Sequence, residues 1–308
     1  MKNLAPAARA SLCALSALAF AVSAMAADRI PITTSSDEAR QLYLKGRDLV
    51  EKLRATDARP MFEQALAKDP NFALAQLGLA NTAGTAKEFF AATAKAVELS
   101  AKASEPEKLL ICAIDAGGKG EPARQKDCLT RLIAAVPDDE RAHNQMAQSL
   151  FGQQDYPAAI VEYKKATTLN PQFSQPYNQM GYAYRFMGQY PEAEQAFKKY
   201  IELIPGDPNP YDSYAELLMK TGRFEESIKN YEKALSVNPN FIASYIGIGN
   251  NYVFMGKPEE ARKSYAKLAA VARNDGEKLQ AHFWTAVSYV HEGATDKALA
   301  EVEKMAAI

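Results

Sequence analysis

Four prolines stand 34 residues apart in this chain, and their spacing constrains the fold more than any other feature. They are Pro137, Pro171, Pro205 and Pro239. A fixed period of this length predicts a stack of similar units, because each unit buries its apolar face only against its neighbours. We number each unit so that its closing proline is position 32, which makes Glu140 position 1 of the unit that follows Pro137.

Side chains of similar size recur at fixed positions in these units. Positions 8 and 20 hold small residues, position 4 holds a ring, and position 24 holds a benzene or phenol ring. The rings at position 24 are Tyr163, Phe197, Tyr231 and Tyr265, and those at position 4 are His143, Tyr177, Tyr211 and Tyr245. This spacing predicts two helices in each unit. Three glycines between them suit the left-handed backbone that often follows a helix end: Gly188, Gly222 and Gly256.

The pattern resembles the tetratricopeptide repeat (TPR) family, whose helix–turn–helix unit has this length and stacks into a superhelix. The resemblance implies an all-α TPR α-solenoid, a right-handed superhelix of about eight antiparallel helix pairs. It is to exported bacterial TPR proteins in general, and it specifies a fold without naming a partner.

The repeat pattern divides the chain into regions. The best units are 140–173, 174–207, 208–241 and 242–275. Degenerate units are expected at 73–139 and 279–308, so that the solenoid covers 39–308 and residues 27–38 form an N-terminal linker. The irregular second and third units are expected to bend the stack, since their helices are interrupted by GGKG at 117–120.

The first 26 residues have the pattern of a cleavable secretory signal peptide. Lys2 and Arg9 accompany an apolar run from Leu12 to Val22, and Ala24 to Ala26 supply a small-x-small cleavage site. We therefore expect cleavage after Ala26 and a periplasmic or secreted protein. An uncleaved anchor is the alternative, although the run is short for a bilayer span.

Charge excludes some classes of partner. Removing residues 1–26 takes away two of the 36 basic side chains and none of the 37 acidic ones, so the net charge changes from −1 to −3. Nucleic-acid binding needs clustered Lys and Arg, so none is expected. No second long apolar segment or basic amphipathic helix is present, and an integral membrane protein is not expected.

Two cysteines remain after processing, Cys112 and Cys128. In the third unit they occupy positions 7 and 23, which face each other when two antiparallel helices fold about a turn near position 15. An oxidising compartment favours a disulfide between them. Two separate buried thiols are the alternative, because free cysteine is commonly buried.

Catalytic and cofactor motifs are not found. His143 and His282 occupy position 4, where other units have tyrosine, which indicates packing residues rather than metal ligands. GIGNNY at 247–252 falls inside a repeat helix and not in a loop before a helix, so it is not interpreted as a phosphate loop. We expect no enzyme activity, cofactor or metal.

The TPR resemblance implies that first helices line a concave surface and that positions 2, 5, 9, 12 and 13 face it. The predicted groove residues are Asn144, Gln148, Asn178, Tyr182, Arg185, Phe186, Asp212, Glu216, Asn250 and Phe254. Amides can bond a peptide backbone and aromatic rings can pack its side chains. The cation cluster with which chaperone-associated TPR domains bind a C-terminal carboxylate is not reproduced.

The expected function is a non-enzymatic protein–protein interaction scaffold in the cell envelope, with a partner segment in the concave groove. A glycan or peptidoglycan-binding module is the alternative, with Tyr182, Phe186 and Phe254 as stacking platforms. The last unit has no polar capping helix after it, which predicts self-association or docking through that repeat.

Overall fold

The computed structural model describes residues 29–308, so the predicted signal peptide lies outside the described residues. Sixteen α-helices occupy this range, and they form the eight pairs that the sequence predicted. The first eight are α1 (Asp37–Glu51), α2 (Ala55–Lys68), α3 (Ala73–Asn81), α4 (Ala86–Leu99), α5 (Glu105–Gly118), α6 (Pro122–Ala135), α7 (Glu140–Gly152) and α8 (Tyr156–Leu169). The others are α9 (Ser174–Phe186), α10 (Tyr190–Leu203), α11 (Asn209–Lys220), α12 (Phe224–Val237), α13 (Ile242–Phe254), α14 (Pro258–Val271), α15 (Asp275–His291) and α16 (Thr295–Ala306).

Every helix packs against the next one along the chain, which confirms an all-α solenoid. First helices of successive units also contact one another: α9 contacts α11, and α11 contacts α13. Elements on the inner side of a curved stack lie closer together than those on the outer side. The odd-numbered helices therefore form the concave layer, and the even-numbered helices form the convex layer.

Position 24 supplies the large ring inside each regular pair, as the sequence predicted. Tyr163, Phe197 and Tyr265 are fully buried. A Cβ atom built on Gly181 would lie only 2.5 Å from the Phe197 ring, and Gly249 is still closer to Tyr265. The small residue at position 8 is therefore required by the ring at position 24.

The closing proline and the ring at position 4 are joined by a hydrogen bond. The hydroxyl of Tyr211 donates to the carbonyl of Pro205 at 3.1 Å, and two other units repeat this bond. In the first regular unit Nε2 of His143 lies 3.0 Å from the Pro137 carbonyl, in the place of a tyrosine hydroxyl. This bond explains why the proline and the ring recur together.

The turns between paired helices have left-handed backbone. Glycine occupies this position in most pairs, for example Gly188 with φ 73°. Two pairs have a side chain there instead, Leu53 with φ 60° and Gln154 with φ 63°. A left-handed residue with a side chain is strained relative to glycine, so these two turns store a modest amount of free energy.

The degenerate units keep the helix-pair architecture. The α3 helix has nine residues and is shorter than the other first helices. Ser104 is the N-cap of α5 and forms a capping box with Glu107. The last pair differs from the expected start at 279, because α15 begins at Asp275, where the Asn274 side chain accepts from the Glu277 amide.

The described part of the expected linker is an ordered strap. Residues 29–36 precede α1, and alternate side chains from Ile30 onward turn inward while their neighbours are exposed. The Ile30 amide donates to Asp139, the Thr33 amide to Glu107, and the Ser35 amide to Asp69. We call residues 29–36 the strap, because these bonds tie the chain before α1 to the end of α2 and to the starts of α5 and α7.

Candidate functional site

The predicted groove residues lie on four neighbouring first helices, α7, α9, α11 and α13. The structure divides them into two groups. Residues of α9, α11 and α13 form a continuous surface that we call the C-terminal groove. Asn144 and Gln148 of α7 instead line a cavity together with residues from the first unit.

An ion pair crosses the C-terminal groove from α9 to α11. Nη1 of Arg185 donates to Oε2 of Glu216 at 2.7 Å. The guanidinium also lies 5.5 Å from the ring centroid of Tyr182 and 5.7 Å from that of Phe186. Four of the predicted residues therefore form one connected cluster, in which arginine has both a carboxylate and two aromatic neighbours.

The Tyr182 side chain is largely held by contacts within the fold. Its ring packs edge-on against Phe197 with centroids 5.2 Å apart, and its hydroxyl donates to Ser213 at 3.3 Å. Burial raises the pKa of the Tyr182 hydroxyl above its usual range. A partly buried ring with an arginine over it has little free face for stacking on a ligand.

Two buried polar groups on the floor of the groove accept few hydrogen bonds. Asn178 is 2% exposed, and its Oδ1 has no partner. Asp212, in the same position on the next first helix, is 7% exposed and accepts one side-chain bond, from the Ser244 hydroxyl at 2.7 Å. Burial raises the pKa of the Asp212 carboxyl to about 7, with the nearby Glu216 adding to the effect and the Ser244 bond opposing it.

Exposed aromatic rings stand where the first helices end. Phe186 is 54% exposed and stacks on Tyr156 at 5.2 Å, close to Phe151. Phe254 is 59% exposed and stacks on Phe224 at 6.1 Å. Pairs of rings at one edge of a groove offer apolar area to a bound chain. Asn250, by contrast, accepts the Tyr265 hydroxyl at 2.8 Å and is occupied within the fold.

The second group of residues surrounds a cavity of about 390 Å³ in the first half of the solenoid, which we call the N-terminal cavity. The first helices α1, α3, α5, α7 and α9 contribute to its wall. Its apolar lining includes Ile30, Ile32, Leu74, Leu77, Leu110, Ile114 and Phe173, and its polar lining includes Arg47, Glu51, Asn81, Arg141, Asn144, Gln145, Gln148 and Gln175.

An ion pair between the first and fourth units holds one side of the cavity. Nε of Arg141 donates to Glu51 at 2.6 Å, and Nη2 donates to the other oxygen at 3.2 Å. Nη1 donates to Glu140. Burial opposes the charge of Arg141, but the two carboxylates outweigh it and raise the pKa of the guanidinium. The turn after α1 is therefore fixed against the start of α7.

Cys112 of α5 and Cys128 of α6 are joined by a disulfide with Cα atoms 6.1 Å apart.

Residues 29–308 contain no group of three or more His, Cys, Asp or Glu side chains suited to a metal ion. Nδ1 of His143 lies 2.6 Å from Glu162, and Nδ1 of His282 lies 2.7 Å from Glu301, so both histidines are held in the packing between paired helices. No helix in this range is long and apolar enough to cross a membrane.

Three family models of the tetratricopeptide repeat match the sequence. One, described as TPR repeat, matches residues 147–185 and 215–256. A second model, described as tetratricopeptide repeat, matches residues 43–103 and 246–308. A third model with the same description matches residues 174–207. Together these ranges cover more than half of the chain, and the match at 174–207 coincides with the pair α9 and α10. This chain is a tetratricopeptide-repeat protein.

Solved structures agree with this TPR fold. The Cut9 and Hcn1 hetero-tetramer of the APC/C contains a chain that is 17% identical with a TM-score of 0.64, and the match covers 86% of this protein and 52% of that chain. This TPR protein thus spans about half the length of that chain. MamA 41-end from Desulfovibrio magneticus RS-1 is 18% identical with a TM-score of 0.48, covering 55% and 95% of the two chains. YrrB, described as a TPR protein with an unusual peptide-binding site, is 20% identical with a TM-score of 0.42. That match covers 57% of this protein and 90% of the YrrB chain. No curated protein sequence matches the chain.

Sequence reasoning placed residues on the concave face of this TPR protein, but it missed how the first unit contributes. Arg47, Glu51 and Tyr43 lie beside Asn144 and Gln148 in the cavity wall, although about 100 residues separate the two groups. A repeat register describes contacts between neighbouring units only. The sequence did contain a signal for the strap. Ile30 and Ile32 alternate with polar or exposed residues, and such alternation indicates an extended segment packed on one face.

Proposed function

We propose that this TPR protein is a non-enzymatic interaction scaffold that binds an extended segment of a partner polypeptide in the C-terminal groove. The observation that carries the proposal is the pair of under-satisfied acceptors at its floor, Asn178 and Asp212. Buried polar groups without a partner cost free energy, and a ligand that supplies donors removes that cost. Backbone N–H groups of an extended chain are suitable donors.

The surroundings of these acceptors suit a polypeptide. Arg185 and Glu216 present a hydrogen-bonding cation and anion beside the floor, where they can bond polar groups of a partner. Phe186 and Phe254 present apolar area at the edge. A polar floor with an apolar edge suits a bound polypeptide whose backbone lies over Asn178 and Asp212 and whose apolar side chains contact the two rings.

Glycan stacking receives less support from the same geometry. Tyr182 packs on Phe197 and has the Arg185 guanidinium over its ring, so it is not a free platform. Phe186 and Phe254 each already stack on another ring with one face. Retention of the protein on purified cell-wall material, in the absence of any protein partner, would favour the glycan alternative.

The test uses a variant that changes the groove without harming the fold. Asn178→Leu removes an acceptor that has no partner, so the free protein should be at least as stable as the wild type. We expect partner binding to weaken by about 2 kcal/mol, the size of an interface hot spot. Binding of a protein captured from an envelope extract is measured by calorimetry, and thermal unfolding is measured in parallel.

Lys198→Ala with Lys199→Ala is the control, because both lysines lie on the second helix α10 and pair there with Glu194 and Glu202. This pair should bind the captured partner like the wild type. Loss of binding in the lysine pair, together with full binding by Asn178→Leu, would place the site on the convex side and refute the proposal. Tyr182→Ala is a poor test, because it also removes the contact with Phe197.

We also propose that the protein works in the periplasm or outside the cell. The signal pattern of residues 1–26 supports export, and an oxidising compartment suits the disulfide between α5 and α6. Cell fractionation and the mass of the recovered protein test this. An N-terminus at Ala27 in the envelope fraction is expected, whereas full-length protein in the cytoplasm contradicts it.

Self-association through the last pair stays a prediction. Leu299 and Val302 of α16 are 56% and 51% exposed. If they meet a second copy, Val302→Asp lowers the association measured by sedimentation. A wild-type protein that is monomeric at all concentrations contradicts this.

A further inference from the structure

The N-terminal cavity has the dimensions and lining of a small-ligand site. Its volume of about 390 Å³ lies within the range of ligand pockets. Most of its wall is apolar, and Leu74 and Leu77 of α3 are almost fully buried on it. Burial of an apolar body against such a wall is favourable, in proportion to the apolar area removed from water.

The cavity wall carries a cation, Arg47, whose paired carboxylate on Glu51 lies beyond hydrogen-bond distance. Oε1 of Glu51 lies 3.7 Å from Nε of Arg47, which is too long for a hydrogen bond. The same Glu51 carboxylate already accepts two bonds from Arg141. The Arg47 side chain is 28% exposed, so it is partly desolvated and retains donors for a further anion.

A second polar feature of the wall also lacks a partner. Asn144 is 2% exposed and donates through Nδ2 to Gln175 at 3.1 Å, but its Oδ1 accepts no hydrogen bond. Asn144 and Arg47 both line the cavity. The wall thus combines an apolar surface, an available guanidinium and an unsatisfied amide.

Two segments enclose the cavity where the concave face of a solenoid is otherwise open. The strap contributes Ile30 and Ile32, and its amides are fixed by Glu107 and Asp139. On the other side the turn after α1 contributes Leu53, whose left-handed backbone at φ 60° is strained for a residue with a side chain. A volume of about 390 Å³ suits a compact molecule.

We infer that the N-terminal cavity binds a small amphipathic anion, with its apolar body against the wall of α3 and α5 and its anionic group at Arg47. This site goes beyond the proposed partner groove, since most of its wall comes from α1, α3, α5 and α7 and it does not involve Arg185 or Asp212. A group on the ligand that donates a hydrogen bond would also satisfy Asn144.

The test uses 8-anilinonaphthalene-1-sulfonate, which has an apolar ring system, one sulfonate and one N–H donor. Titration of the purified full chain should give a saturable rise in fluorescence with one site per molecule. Decanoate, an amphipathic anion of different shape, should displace the probe. Absence of saturable binding, or no displacement by decanoate, overturns the inference.

Variants locate the site. Arg47→Gln should weaken probe binding at least tenfold, because it removes the cation while the Arg141 and Glu51 pair remains. Arg185→Gln, a matched change in the C-terminal groove, should leave binding unchanged. Equal affinities of wild type and Arg47→Gln overturn the inference, and so does a loss confined to Arg185→Gln.

A third variant fills the cavity instead of changing its charge. Ile32→Trp lies on the strap, outside the helices, so the larger ring can enter the cavity without repacking a helix pair. Probe binding should be abolished, while far-ultraviolet circular dichroism and melting stay close to those of the wild type. Should this variant unfold, the comparison of Arg47→Gln with Arg185→Gln still decides the question. Undiminished binding in a folded Ile32→Trp protein contradicts the site.

Discussion

At the scale of single residues, two kinds of glycine have different tasks. Gly181 is a packing residue, because the Phe197 ring occupies the space where its Cβ would be. Gly188 is a backbone residue, with φ 73° and no heavy atom within 4 Å of a Cβ. The sequence register distinguished them, since one falls at position 8 of a helix and the other between helices.

We predict that Gly181→Ala destabilises the protein by about 1–3 kcal/mol, because overpacking displaces a buried ring. Gly188→Ala should cost about 1 kcal/mol, the strain of a left-handed alanine. Urea unfolding followed by circular dichroism measures both. If Gly188→Ala is the more damaging change, the assigned contact between positions 8 and 24 is wrong.

Asp212 gives the stability of the protein a pH dependence. Burial holds the pKa of its carboxyl at about 7 in the folded state, well above the value of an exposed aspartate. Between about pH 4 and pH 7 the folded protein keeps a proton that the unfolded chain has lost. The contribution of this group to stability is therefore full at low pH and is lost as the pH rises through 7.

Asp212→Asn should accordingly stabilise the protein at pH 8, by roughly 1–4 kcal/mol. The gain should disappear below about pH 3, where the wild-type carboxyl is protonated in both states. Unfolding free energies of wild type and variant at the two pH values provide the measurement. A gain of the same size at both would show that the charge of Asp212 is not responsible.

At the scale of helices, hydrogen bonds join successive units, and a disulfide joins the two helices of one pair. A tyrosine hydroxyl at position 4 bonds the preceding proline carbonyl in three units, and His143 makes the equivalent contact in a fourth. In the third pair, which lacks this regular pattern, the disulfide links α5 to α6 across a separation of 16 residues. One of the irregular pairs thus has a covalent link between its helices.

The disulfide should stabilise the folded protein by about 3 kcal/mol in the chain-entropy model for a loop of this length. Reduction should lower the melting temperature of the wild type. The variant Cys112→Ala with Cys128→Ala is the control, and reductant should not change its melting. Thiol labelling of the denatured, unreduced mature protein should find no free sulfhydryl, and two free thiols would contradict the bridge.

At the scale of the whole molecule, the first half of the solenoid departs from a one-dimensional stack. In a simple stack each unit contacts only its neighbours. Here the Ile30 amide bonds Asp139 over 109 residues, and Arg141 bonds Glu51 over 90 residues. These links connect the first unit directly to the fourth and enclose the N-terminal cavity.

The first four pairs should therefore unfold more cooperatively than the last four. Ile30→Ala with Ile32→Ala weakens the strap, and each half-buried truncation should cost about 1–2 kcal/mol. Hydrogen exchange should then quicken from α1 to α7 and stay unchanged from α11 to α16. Val290→Ala, at a residue 65% exposed on α15, is the control and should leave α1 to α7 unaltered. Uniformly faster exchange along the whole chain would contradict a separate N-terminal unit.

The sequence by itself determined the repeat, the number of helix pairs and the rings at position 24. These features depend on local periodicity and on contacts between adjacent units, both of which are written in the 34-residue pattern. Only the tertiary structure decided that Asn144 shares a cavity with Arg47, that Oδ1 of Asn178 has no donor, and that Asp212 accepts its side-chain bond from Ser244. The first result depends on how α1, α3, α5 and α7 curve around the cavity, and the others depend on packing between α9, α11 and α13. Packing of this kind between units is not specified by a periodic pattern.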